Sequence, residues 1–179
     1  MKYLILYFSL LLLSPLCLAQ KKYYSSKGKI AFNASSSSIV EIKAINSNVS
    51  AILNTENGTI AVLSLLQKFK FKNGLMEEHF NENYVESDKY PKATFQGTLE
   101  NFEPKNIQKS YRITGILSLH GISKEISVNA IIERENNLLL LSSKFFIAPE
   151  DFGIDVPRLI SYKLADRVSV ELSLPFSEN

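Results

Sequence analysis

The chain has 179 residues, 45% of them hydrophobic, with 20 Lys and Arg against 18 Asp and Glu. That length suits one domain with a full core. Charges so nearly balanced argue against nucleic acid as a partner, because duplex binding needs a concentrated basic face; they leave a lipid open.

Lys2 precedes the apolar run Leu4 to Leu13, and Ser14-Pro15 and Cys17-Leu18-Ala19 follow before Gln20. This is the layout of a secretory signal peptide, so residues 1–19 are expected to be removed and residues 20–179 to form the working domain. Removing Lys2 leaves 19 basic residues against 18 acidic ones, a net charge of +1. The apolar run is shorter than the ~20 residues a spanning helix needs, and no later segment is long and apolar enough for one. Cys17 is the single cysteine; its removal with the leader takes away disulfides, thiol catalysis and thiolate metal sites together. Acylation of Cys17 would make a lipoprotein, but bulky Leu16 stands where a small residue is usual. A periplasmic or secreted protein is the expectation.

After the leader come short strands. Tyr23 to Phe32 and Ile39 to Ile45 are β-prone and separated by the serines Ser35 to Ser38. Val40, Ile42 and Ala44 alternate with Glu41 and Lys43, the period of a half-buried strand, and Val49, Ala51 and Leu53 repeat it. Glu56-Asn57-Gly58 supplies a tight turn into Ile60 and Val62, predicting a hairpin. Phe69 and Phe71 alternate with Lys68, Lys70 and Lys72, as on an edge strand kept soluble by charge.

From Leu75 to Val85, Leu75, Met76, His79, Phe80, Asn83 and Tyr84 recur at steps of three and four, predicting a short helix with one apolar side. Tyr90-Pro91 ends it, since a residue before proline is pushed away from helical geometry. Ala93, Phe95, Gly97 and Leu99 restore the two-residue period, as do Ile113, Gly115, Leu117 and Leu119. A turn over Gly121 to Lys124 is expected next, followed by Ile126, Val128, Ala130 and Ile132 on one face. Asn136-Asn137 turns into Leu138 to Ile147, whose start is apolar on both faces and is therefore expected to be covered on both sides. Val168, Val170, Leu172 and Leu174 close the chain against Arg167, Ser169, Glu171 and Ser173.

About eight strands with short turns and one small helix make an all-β protein, either an antiparallel barrel or a sandwich. Alternation does not decide between them, since one apolar face serves two packed sheets as well as one sheet curled around its interior.

Four pieces stand in a distinctive order: HFNENYVES with DKYPKATFQG, then YRITGILSLHGISKEISV, then APEDFGI, then DRVSVELSL. Together they resemble the YceI-like family of exported proteins, over most of the chain from about Ile39 to Leu174. The stretch Tyr23 to Val49 departs from the family pattern, lacking a histidine often found in the first strand. The resemblance implies a lipocalin-like antiparallel β-barrel whose interior holds an isoprenoid chain or another amphiphilic lipid, with no cofactor. It implies a lining drawn from Phe95, Leu99, Ile113, Leu117, Leu119, Val128, Ile132, Val168, Val170 and Leu172. Met76, Phe80 and Tyr84 would be the inward side of a helix that plugs or gates one end. His79, His120 and Arg158 are the expected head-group contacts. The oligomeric state stays open, a homodimer being one form.

Catalytic readings are weaker. His79 and His120 with Glu77, Glu78 or Asp151 have no metal-site spacing such as His-Glu-x-x-His. No Gly-x-Ser-x-Gly elbow occurs, and no serine stands beside a histidine. Asp151-Phe152-Gly153 reads as a turn with the carboxylate bonding backbone amides, not as a kinase motif, because no glycine-rich loop or His-Arg-Asp loop precedes it. A hydrolase or metal-dependent enzyme would need His79, His120 and Asp151 to converge. A purely structural or partner-binding domain would need a solid interior and an exposed apolar patch.

Overall fold

The computed structural model describes residues 22–36, 41–155 and 164–178. The expected leader with Cys17, the start of the second predicted strand and Arg158 lie outside the described residues. Among the described residues nine strands form, β1 (Lys22–Ser35), β2 (Lys43–Asn54), β3 (Thr59–Leu65), β4 (Lys70–Phe71), β5 (Lys92–Leu99), β6 (Ser110–Leu119), β7 (Ile122–Glu135), β8 (Leu138–Ile147) and β9 (Leu164–Glu178). Eight of them run β1-β9-β8-β7-β6-β5-β3-β2, and β2 pairs back onto β1 from Lys22↔Asn54 to Asn33↔Lys43. That last ladder closes the ring and makes it a barrel with no free edge of its own. β4 lies beyond the end of β3 on the same edge of β2, through Ala44↔Phe71 and Ile45↔Lys70, as the predicted lysine-flanked edge strand.

Hairpins set the register. Leu119 pairs with Ile122 and Glu135 with Leu138, so each turn has two residues. His120 and Gly121 have φ of 52° and 76°, and Asn136 and Asn137 have 45° and 71°. Two successive positive φ values match the right-handed twist of the flanking strands. The turn expected over Gly121 to Lys124 is therefore shorter than predicted, because His120 enters the left-handed region and frees Ser123 and Lys124 for β7.

Inward parity shifts twice on the N-terminal hairpin. Ala44 and Asn46 are buried on β2, but so are Val49, Ala51 and Leu53, and the β1–β2 register slips between Gly28 and Ile30. The Asn46 side chain accepts from the Asn48 amide at 2.8 Å and holds the irregularity.

Two main cores result. The lower one, at the end carrying the Asn136–Asn137 turn, packs Val49, Leu53, Leu99, Ile132, Leu139, Leu141, Leu174 and Phe176. The upper one packs Ala44, Leu66, Phe69, Val85, Leu119, Phe152 and Ile154. A smaller cluster of Ala34, Val168 and Val170 joins β1 to β9. The start of β8 is not covered on both sides: Leu139 and Leu141 point into the lower core while Leu138 is 36% exposed. Strand alternation wins there, with no element laid over the outer face.

Candidate ligand-binding interior

The upper end is closed by the segment between β3 and β5. A helix, α1 (Gly74–His79), starts where the Asn73 side chain accepts from the Leu75 amide at 2.9 Å, an N-cap that satisfies an otherwise orphaned donor. It passes into a π-helical turn, Phe80–Tyr84. Phe80, its first residue, meets Phe32, Phe69 and Phe71 at ring separations of 5.5, 5.8 and 5.2 Å. Offset ring contacts of this kind add about 0.5–1.5 kcal/mol each beyond area burial. Tyr84 packs against the same core, and burial raises its phenol above the ordinary 10.0. Met76 is half-buried and Leu75 is 58% exposed, so the apolar side is narrower than the sequence spacing implied.

Glu77 fastens this cap to β4. One carboxylate oxygen takes the Lys70 ammonium, and the other accepts from the Phe71 amide at 3.2 Å. The Lys70 hydrogen bond is the largest influence on the Glu77 carboxyl and holds it below the ordinary 4.5.

Between the two cores the inward side chains leave a void of about 80 Å³. Of the predicted lining, Phe95, Ile113, Leu117, Val128, Val170 and Leu172 face it. Leu99 and Ile132 pack in the lower core, Leu119 in the upper core and Val168 in the small cluster. Phe80 and Tyr84 stay with the cap. Ile30, Ile60, Val62, Ser64, Ser143 and Phe145 also line the void and were not foreseen. Ile60, Val62 and Ser64 already alternated on β3; Ile30 was hidden by the irregularity of β1. The two serines stand at inward parity, the one signal that they belong to the interior.

On the β5–β6 wall Gly97 pairs with Gly115. A Cβ at Gly115 would lie 2.2 Å from the Gln96 carbonyl oxygen, and one at Gly97 would lie 2.7 Å from Cζ of Phe95. The bare backbone is what lets the Phe95 ring lie along the wall instead of across the void.

The chemically rich side chains are elsewhere. His120 is held at the β6–β7 turn, with Nδ1 3.0 Å from the Phe152 carbonyl oxygen and Nε2 2.8 Å from a Glu86 carboxylate oxygen. The Tyr90 ring lies edge-on at 4.6 Å. Asp151 pairs with Lys124, so its carboxylate does not cap backbone amides as expected. Gly153, with φ of 64°, ends the short turn Pro149–Phe152. His79 is exposed on α1, and no contact links it to His120 or Asp151. Among the described residues no cluster of three His, Cys, Asp or Glu side chains is placed to hold a metal ion, and no helix is long and apolar enough to cross a membrane. Outside the barrel, a depression of about 640 Å³ at the cap is lined by Glu77, Glu78, Glu82, Glu86, Asp88 and Lys89 among others. It is polar and acidic, unlike the interior.

Comparison with solved structures finds the same fold in distant sequences. A polyisoprenoid binding domain from Saccharophagus degradans, implicated in plant cell wall breakdown, matches with a TM-score of 0.74 at 13% identity, covering 89% of this chain and 99% of that one. BcnA of Burkholderia cenocepacia matches with a TM-score of 0.71 at 16% identity, over 83% and 96%. The YceI protein of Campylobacter jejuni matches with a TM-score of 0.64 at 18% identity, over 80% and 88%. Comparison with curated proteins gives no significant sequence match. The family model of the YceI-like domain, however, matches residues 23–176, the whole barrel from β1 to β9, and the chain belongs to the YceI-like family.

Proposed function

We propose that the protein is an exported binding protein that shields an amphiphilic lipid, of isoprenoid or similar chain type, inside its barrel. The observation that carries this is the interior itself: a closed ring of strands whose middle is a void walled almost entirely by apolar side chains, between a tightly packed lower core and a less buried aromatic cap. Each methylene transferred there from water contributes ~0.8 kcal/mol. The solved relative described as polyisoprenoid binding supports the same ligand class.

The void as it stands takes the leading part of a chain. A longer one enters by turning aside the half-buried rings of Phe95 and of the upper cluster, which are less buried than the side chains of the lower core. Export rests on the leader at residues 1–19, and a periplasmic or secreted location follows from it. We read the domain as a binder and not an enzyme, because no charged side chain lines its void among the described residues. No acid–base pair faces it.

Organic extraction of the protein purified from its own host, followed by mass spectrometry, is expected to release a long amphiphile in near-stoichiometric amount. Repeated recovery of empty protein that no lipid reloads would overturn the reading.

A further inference from the structure

Ser64 is 2% exposed, lies at inward parity on β3 and lines the void. Its Oγ accepts from Nδ2 of the fully buried Asn46 at 3.0 Å. The same Nδ2 donates to the Leu65 carbonyl at 3.0 Å, and the Asn46 side-chain oxygen accepts from the Asn48 amide. Asn46 thereby stitches β2 to β3 just where the β2–β3 ladder, ending at Ser50↔Leu63, opens. The arrangement fixes the position of Ser64 Oγ but uses only one of its lone pairs. The hydroxyl proton has no acceptor among the described residues. Ser143, the other serine on the wall, is different: it spends its proton on the Asn129 carbonyl at 2.7 Å.

A hydroxyl carries one donor and two acceptor sites, and a buried donor left unmade costs free energy that an apolar neighbour does not return. Valine or alanine would have walled the void without that cost. We propose that Ser64 donates a hydrogen bond to an oxygen atom of the bound amphiphile, so that the barrel selects a chain carrying a ketone, ester, ether or alcohol oxygen within its buried part over a plain hydrocarbon chain. This rests on the binding reading above and adds to it the chemistry of the buried segment. Asn46 is the positioning residue: it holds Oγ so that the free proton turns into the void.

The test compares two probes of one shape, methyl pentyl ketone and the alkene in which a methylene group replaces its carbonyl oxygen. Each is titrated into delipidated protein, wild type and Ser64→Ala. The variant keeps the Asn46 bond to Leu65, and its melting curve checks that it is folded. The wild type is expected to favour the ketone, relative to the alkene, about two- to tenfold more than Ser64→Ala does, the worth of one net hydrogen bond. The carbonyl stretch of ¹³C-labelled ketone is expected to lie at lower frequency in the wild type than in the variant. An identical probe ratio and an unshifted stretch in both proteins overturn the assignment to Ser64 while leaving the binding reading standing. Failure of both probes to bind either protein overturns the two together.

Discussion

The two ends of the barrel are closed by different materials. At the lower end the strands themselves bring Leu53, Leu139, Leu141, Leu174 and Phe176 to 1% exposure or less, in the interlocked packing that makes every methylene count. At the upper end four phenylalanine rings from β1, β4, the turn before it and the π-helical turn lean on one another. Phe32, Phe71 and Phe80 there remain only half-buried. One end is core and the other is a lid made of side chains. A ligand-binding barrel needs this asymmetry, since an entrance must be the part of the structure that opens most cheaply.

The largest expected effect is at the lower end. Leu53→Ala should cost about 2–5 kcal/mol, read as a lower urea midpoint, because its site has no slack to collapse into. Phe80→Ala should cost less, about 1–2 kcal/mol, below the 3–5 kcal/mol of a fully buried phenylalanine, with Met76→Ala smaller again. If the cap is a gate, retention of extracted lipid per folded Phe80→Ala molecule falls as well. Loss of stability alone would make the segment only a plug, and a Phe80→Ala cost equal to that of Leu53→Ala would erase the difference between the ends.

Acid should loosen the upper end first. The folded Glu77 carboxyl is held below its ordinary 4.5, chiefly by Lys70. Its contribution to the cap is thus complete above the unfolded carboxylate value and is lost as pH falls through the lower folded value. In NMR titrations the Phe71 amide and Phe80 ring signals should move in that acidic window before those of the lower core. Glu77→Gln should abolish the early step. A simultaneous change at both ends would break the comparison. The smallest effect is expected from Lys144→Ala: Lys144 and Glu171 are 62% and 59% exposed, a pair screened by water, and the melting temperature should not move measurably.

Most strands were legible because one inward residue in two is apolar, a pattern any half-buried strand must show. The helix was legible from its three- and four-residue spacing, although its passage into a π-helical turn leaves no mark in the spacing. The lining was legible only in part. Phe95, Leu117 and Leu172 share their parity with Leu99, Leu119 and Val168, and parity says which face is inside without saying how far along the barrel a residue sits. The first group meets the void and the second meets a core, because strand tilt and stagger set the height of each residue. An enzyme reading needs His79, His120 and Asp151 to converge; the fold gives them separate places, His120 being drawn to Glu86 and the Phe152 carbonyl.

By itself, then, the sequence determined the strands, their inward faces, the turn at Asn136–Asn137, the capping helix and, through four motif pieces, the family. Those are local matters of periodicity, turn chemistry and composition. The tertiary structure alone decided that the sheet closes, through the β1–β2 ladder, and that the void lies at mid-height between unequal ends. It also decided that a buried serine hydroxyl stands on the wall of the void. Each of these depends on which distant residues share one level of the barrel, a distance in space that no spacing along the chain encodes.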